Sequence, residues 1–220
     1  ENHNFSCNWG AEGLEAAPEV EIIRRRMIKN MIATLLLSLG IPMLLAGDEF
    51  RRTQRGNNNS YCQDNDISWI DWALLEKNRD IFSFTRSMIA FRKMHPVFSM
   101  PVFFSGKECP DNGREDISWH GLKPDEPEWD TDDGCLAAMI NGSIRTDKDE
   151  GNNCDFYLAF NSSGKEQVFT VPGSPSGREW RRAIDTSAAS PDDIYIESRG
   201  PEIREEQITL SGHSLKVLMA

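Results

Sequence analysis

Residues 41–49, Ile41-Pro42-Met43-Leu44-Leu45-Ala46-Gly47-Asp48-Glu49, decide the fold. The first six form a short, unbroken apolar run, closed by a glycine and two acids. A strand covered by helices on both faces reads as a continuous apolar stretch rather than as an alternation. The pattern therefore predicts a buried parallel strand over 41–46, with Asp48 and Glu49 just past its C-terminal end. Such a strand has two edges to pair, and a parallel partner is reached only through a crossover. The 220 residues contain no second run of this kind, and an apolar strand left open is an aggregation site. The reading that resolves the conflict places the neighbouring strands upstream, in chain preceding Glu1. The alternative is a small, self-contained α+β fold.

On the N-terminal side, residues 18–39 carry apolar residues at Ile23, Met27, Met31 and Leu35, widened by Ile28, Ile32, Leu36 and Leu39. This is a helical period. Pro18 and Glu19 suit a first turn, and Gly40 suits a C-cap. On the C-terminal side a polar stretch, 51–66, leads to a second helix over 74–94. Its inward face is Ile81, Phe84, Met88 and Phe91, and Pro96 stops it. Beyond Pro96 the pattern changes to short strand-like runs between Gly, Pro, Asn and Asp clusters, at 102–105, 117–120, 135–141, 154–161, 167–171, 180–184, 207–210 and 214–219. These predict an all-β antiparallel sandwich. The expected division is 1–96 and 97–220.

Composition narrows the function. With 39% hydrophobic and 27% charged residues, the chain can build a core. The net charge of -11 disfavours nucleic acid but does not repel a neutral substrate. No apolar run nears the roughly 20 residues of a membrane helix, so no membrane partner is expected. The polar start, Glu1, Asn2, His3 and Asn4, does not read as a signal peptide. Cys7, Cys62, Cys109, Cys135 and Cys154 are odd in number and form no C-x-x-C, which predicts reduced thiols in a cytoplasmic protein. The sequons at Asn141 and Asn161 carry no meaning there. Asp64-Asn65-Asp66 lacks the remaining spacing of a calcium loop, and no metal or cofactor is expected.

Residues 41–72, IPMLLAGDEFRRTQRGNNNSYCQDNDISWIDW, closely resemble the last barrel strand and following loop of bacterial glycogen-debranching enzymes and isoamylases, of the α-amylase superfamily. AGDE is shared across that superfamily. GNNNSY at 56–61, Gln63-Asp64-Asn65 and the Trp69/Trp72 pair are narrower. The opening ENHNFSCNWGAEG is similar to the segment after the family's seventh barrel strand. The chain departs from the family pattern in two ways: Trp9 and Cys7 are exchanged relative to its W-N-C-G, and Arg51 stands where it has Gly.

The resemblance implies the end of a (β/α)8 barrel followed by the sandwich, with 18–39 as the seventh helix, 41–46 as the eighth strand and 74–94 as the eighth helix. It implies a parent that hydrolyses α-1,6 branch points of glycogen or limit dextrins with retention, using two carboxylates about 5–5.5 Å apart and a third in support. In the family these lie on the fourth, fifth and seventh strands, all before residue 1, so this chain is expected to be inactive alone and to complete the missing N-terminal part of the enzyme.

What remains is one edge of the cleft, since barrel sites lie at the C-terminal strand ends. Asp48 and Glu49 would touch sugar or orient a catalytic neighbour; the competing reading is structural pairing. Asn57, Asn58, Asn59, Gln63 and Asp64 offer donors and acceptors for sugar hydroxyls, and Tyr61 offers a face for a glucose ring. The competing reading is that these residues satisfy the loop's own backbone. His3 would reach the cleft or make an ordinary hydrogen bond; Arg52 and Arg55 read as a solvated face, with bracketing of the cleft as the competing reading. Trp69 and Trp72 are expected to pack under the loop, with sugar stacking as the competing reading, and Trp119, Trp129 and Trp180 to serve as sandwich core or loop cover, with glucan binding by surface aromatics as the competing one. Two other functions fit the same residues: a non-catalytic isoamylase-like subunit, and a stand-alone glucan-binding module.

Overall fold

The computed structural model describes residues 6–110, 112–142, 154–197 and 199–220; His3 lies outside them. Helix α1 spans Pro18–Leu37, α2 Ala73–Lys77 and α3 Arg79–Met94. Seven strands follow: β1 Ile117–His120, β2 Cys135–Ile140, β3 Phe156–Asn161, β4 Gln167–Thr170, β5 Arg181–Asp185, β6 Gln207–Leu210 and β7 Ser214–Met219. Five form an antiparallel sheet in the order β1-β2-β3-β7-β5, while β4 and β6 pair separately.

Alternation along the strands builds three layers. On β7, Leu215, Val217 and Met219 face the helices and join Ile32, Ala33, Leu36 and Leu37 of α1 and Ile81, Phe84, Met88 and Phe91 of α3. Leu218 and Ala220 point the other way, into a second cluster with Tyr157, Ala159, Phe169, Ile208 and Leu210 beneath the β4–β6 pair. The sheet is therefore sandwiched between helices and a short second sheet.

Helix α1 opens with Pro18 and with Glu19 and Glu21 in its first turn, which complements the helix dipole. Its C-terminal end is closed from outside. Buried Arg92 donates to the carbonyls of Leu36 at 2.6 Å, Ser38 at 2.7 Å and Gly40 at 2.8 Å. Lys29 and Asp193 form a buried ion pair, 2.6 Å apart, that pins α1 to the connection after β5.

Three expectations fail, each for want of a partner or for a competing one. Residues 41–46 form no strand: Ile41 is 98% and Met43 87% exposed, and Leu45 is also in solvent. Among the described residues the segment has no strand beside it to bond. The helix expected over 74–94 breaks at Asn78, whose amide donates to the Phe50 carbonyl at 3.2 Å and accepts from Arg25 at 3.1 Å. Residues 102–105 stay irregular, with Val102 and Phe103 exposed. The other seven expected strands form, with ends shifted by at most a few residues.

Candidate functional site

The sharp turn after the apolar segment is built by backbone geometry. Gly47 is left-handed at φ +95, and the Arg52 side chain lies where a Cβ would project. Residues Asp48–Phe50 form one 3-10 turn, and the Arg52 N–H closes onto the Gly47 carbonyl at 2.8 Å. Glu49 accepts the Gly47 N–H at 2.7 Å, which is a structural use of that carboxylate. The Asp48 side chain is open to solvent and makes no hydrogen bond among the described residues. Water displaced by the loop packed behind it still raises its carboxyl above the usual Asp range; Arg52 opposes the rise and the Glu49 charge adds to it.

Arg51 is also left-handed, at φ 66, a conformation that favours glycine and costs about 1–2 kcal/mol for other residues. A two-pronged pair with Glu21 of α1, at 2.5 and 2.9 Å, offsets it. Arg51 holds the Glu21 carboxyl down at about 2, with Arg24 assisting. Arg24 in turn donates to the carbonyls of Asn8 and Gly13, each at 2.8 Å, and of Ala11. One network thus joins the N-terminal segment, α1 and the turn. A cavity of about 300 Å³ opens beside it, backed by Ile28, Met31 and Leu35 of α1 and rimmed by Asp48, Arg51 and Arg52.

The loop beyond is organised by its own amides. Arg52 donates to Gln54 at 2.9 Å, and Gln54 to the Asn57 carbonyl at 2.7 Å. Asn57 caps the Asn59 N–H at 2.9 Å and Asn59 caps the Tyr61 N–H at 3.1 Å. The Gln63 side chain accepts from Asn65 at 3.1 Å, and Asp64 from the Trp69 indole at 2.9 Å. These are turn uses of Asn and Asp, yet they leave Asn58, Gln63 and Asp64 at the surface, with Tyr61 83% exposed. Arg55 pairs with Asp66 at 2.6 Å in solvent. Trp69 and Trp72 do not pack beneath the loop; both are exposed, Trp72 resting one side on Phe50 at 5.6 Å. The surface that would cover them is not supplied by the described residues. Asp48 lines the cavity, whereas the loop amides do not.

Sequence reading missed the Glu21–Arg51 pair, which joins positions thirty residues apart. Its one visible signal is Arg51 at the family's glycine position. The reading of Trp119 and Trp129 as core or cover also fails: both are exposed, and they meet edge to face at 5.7 Å. Trp180 is buried as expected. Among the described residues no group of His, Cys, Asp and Glu is arranged to hold a metal ion, and no helix is long and apolar enough to cross a membrane.

Residues 118–216 match the family model described as isoamylase 1-3, C-terminal. A glycogen operon protein GlgX homolog of Mycobacterium tuberculosis (strain ATCC 25618 / H37Rv) is 37% identical over 196 residues, covering 85% of this chain and 27% of the relative. The chloroplastic isoamylase 1 of Arabidopsis thaliana is 34% identical over 211 residues, covering 96% of this chain and 24% of the relative. A pullulanase from Anoxybacillus sp. LM18-11, solved with maltotetraose, superposes with a TM-score of 0.63 at 22% identity, over 90% of this chain and 24% of the pullulanase. The chain thus spans about a quarter of each relative's length. Over 85% to 96% of its own length it is similar to the C-terminal part of longer isoamylase-type proteins.

Proposed function

We propose that this chain is the C-terminal part of a cytoplasmic hydrolase that cleaves α-1,6 branch linkages in glycogen or limit dextrins with retention of configuration. Residues 1–96 are then the end of a (β/α)8 barrel: α1 is its seventh helix, 41–46 its eighth strand, and α2 with α3 its eighth helix. Residues 97–220 are the C-terminal β domain. The catalytic carboxylates reside upstream, about 5–5.5 Å apart as retention requires, and the chain alone is inactive.

The supporting observation is the state of residues 41–46. They are apolar, form no regular element and are mostly exposed, and they end in the Gly47–Phe50 turn that carries Asp48. Exposed Met31 of α1, which lines the same cavity as Met43 and Leu44, accompanies them, as do exposed Trp69 and Trp72. An apolar set of this size in solvent marks an absent partner, and in a barrel that partner is the rest of the strand ring. Asp48 then stands at the C-terminal end of a barrel strand, where such enzymes keep their sites. Glu49 supports the turn, and Asn57, Asn58, Asn59, Tyr61, Gln63 and Asp64 form a wall against which branched chains lie.

The test compares the 220-residue chain with the full-length protein on branched limit dextrin, following reducing ends. We expect hydrolysis by the full-length protein only, and a lower kcat/KM when Asn58 and Tyr61 are replaced by Ala in it. Hydrolysis by the short chain, or a full-length protein lacking any of the three carboxylates, overturns the reading. Unchanged kinetics in the Asn58→Ala/Tyr61→Ala variant returns the loop to a purely structural role.

A further inference from the structure

The outer edge of the five-stranded sheet carries a second aromatic feature, separate from the 47–72 loop. Trp119 on β1 is 42% exposed and Trp129 63% exposed, and their rings meet at 5.7 Å and 65°. Indoles are usually largely buried, so two in solvent, in contact and at a sheet edge, call for a role. Neither indole N–H has a hydrogen-bond partner among the described residues.

The backbone beside them is also open. The register pairs Ile117 with Ile140 and Trp119 with Ala138, and the Asn141 N–H donates to the Asp116 carbonyl at 3.1 Å. In an antiparallel ladder this phase directs the N–H and C=O of Ser118 and His120 toward β2 and those of Ile117 and Trp119 away from it. Among the described residues, the Trp119 N–H and C=O therefore have no backbone partner.

The segment that presents Trp129 is held in place. The Asp125 N–H donates to the buried His120 ring at 2.8 Å, and the other ring nitrogen meets the Ser118 hydroxyl at 3.0 Å. The Thr170 N–H bonds to the Leu122 carbonyl and the Ser162 N–H to the Gly134 carbonyl, both at 2.8 Å. Anchoring at both ends limits the ordering penalty of binding.

Charge selects the ligand. The segment 122–134 that carries Trp129 also carries Asp125, Glu126, Glu128, Asp130, Asp132 and Asp133, against one lysine, Lys123. That field repels phosphate polymers and anionic surfaces, and it repels a second copy of the same edge. It leaves a neutral polyhydroxyl ligand, whose apolar ring faces stack on indoles and whose hydroxyls need both donors and acceptors.

Resting on the glucan substrate class proposed above, we infer that the Trp119–Trp129 pair is a non-catalytic platform for a linear α-glucan chain, which holds the enzyme on its branched substrate. The platform takes the outer face of a chain by stacking, and the free edge groups of Trp119 bond its hydroxyls.

The experiment uses the full-length protein and the 220-residue chain in native gels containing glycogen, with maltoheptaose titrated by tryptophan fluorescence. Maltoheptaose should shield wild-type tryptophans from acrylamide quenching. Trp129→Ala and Trp119→Ala should each weaken glycogen retardation roughly tenfold, the equivalent of about 1.4 kcal/mol, while Trp129→Phe keeps part of it. Hydrolysis of short, soluble branched substrates should be unchanged in Trp129→Ala. Retardation and quenching unaffected by either alanine variant would overturn the platform and leave the debranching reading standing. Concentration-dependent dimerisation abolished by Trp129→Ala would overturn it in favour of self-association. Tryptophan-dependent binding in a full-length protein that hydrolyses nothing would support the platform and remove the debranching reading.

Discussion

Helix α1 buries Ile32, Ala33, Leu36 and Leu37 against α3 and the sheet, while Met31, on another side of the same helix, stays in solvent with Met43 and Leu45. Both sides are apolar, and the period that wrote them is the same. They differ in that α3 and β7 cover the first, whereas no described residue covers 41–46; in the proposed barrel that cover is the rest of the strand ring. A hydrophobic stripe therefore specifies that something must cover it without naming the cover. The comparison is open to direct attack.

The largest effect should come from the covered side. Phe156 is buried where its ring meets Phe98 at 4.8 Å, His95 at 5.0 Å and Phe91 at 5.9 Å. Phe156→Ala should lower the unfolding free energy by about 3–5 kcal/mol, seen as a fall in the urea midpoint at constant slope. On the uncovered side, Met43→Ala in the 220-residue chain should stay within about 0.5 kcal/mol. In the full-length protein the same change should cost about 2–5 kcal/mol, because the side chain is then packed. If Met43→Ala is silent in both contexts, residues 41–46 have no partner and the barrel assignment goes with it.

A comparable or smaller effect is expected at the joint between the halves. Lys29 lies 2.6 Å from Asp193, 3.2 Å from the Ala188 carbonyl and 5.5 Å from the centre of the Phe84 ring. Lys29→Met strands the buried Asp193 carboxylate and should cost about 3–5 kcal/mol. Adding Asp193→Asn should recover part of that loss, since the uncompensated charge is removed. Equal costs for the single and the double variant, measured by urea unfolding, would show that the two charges are not coupled.

The same contrast explains what the sequence could and could not tell. The expected strand over 214–219 forms at those positions because every second residue of Leu215, Val217 and Met219 meets a surface within the chain. The expected helix over 18–39 forms as Pro18–Leu37 for the same reason. The strand expected over 41–46 carries an equally clear pattern, but pairing is a property of two segments and only one is at hand. The break at Asn78 was hidden because it arises from the distant Phe50 carbonyl and from Arg25. In the loop, Asn57 and Asn59 follow the turn chemistry their residue types announce. Trp69 and Trp72 mislead because an aromatic that packs in a longer protein has the same letter as one left in solvent.

The smallest predicted effect tests the turn itself. Arg51 combines a strained backbone at φ 66 with the pair to Glu21. Replacing it by Gly removes a left-handed penalty of about 1–2 kcal/mol and also a partly buried pair, itself on the order of 1 kcal/mol. At neutral pH the two changes should nearly cancel. They respond differently to acid. Glu21 is held at about 2 in the folded chain against 4.5 in the open chain, so its pairing stabilises fully above 4.5 and fades as pH falls from there through about 2. The backbone penalty does not titrate. Arg51→Gly should therefore match the wild type in urea unfolding near pH 7 and become the more stable of the two near pH 3. A stability difference that stays the same at both pH values would mean that Glu21 does not hold the turn.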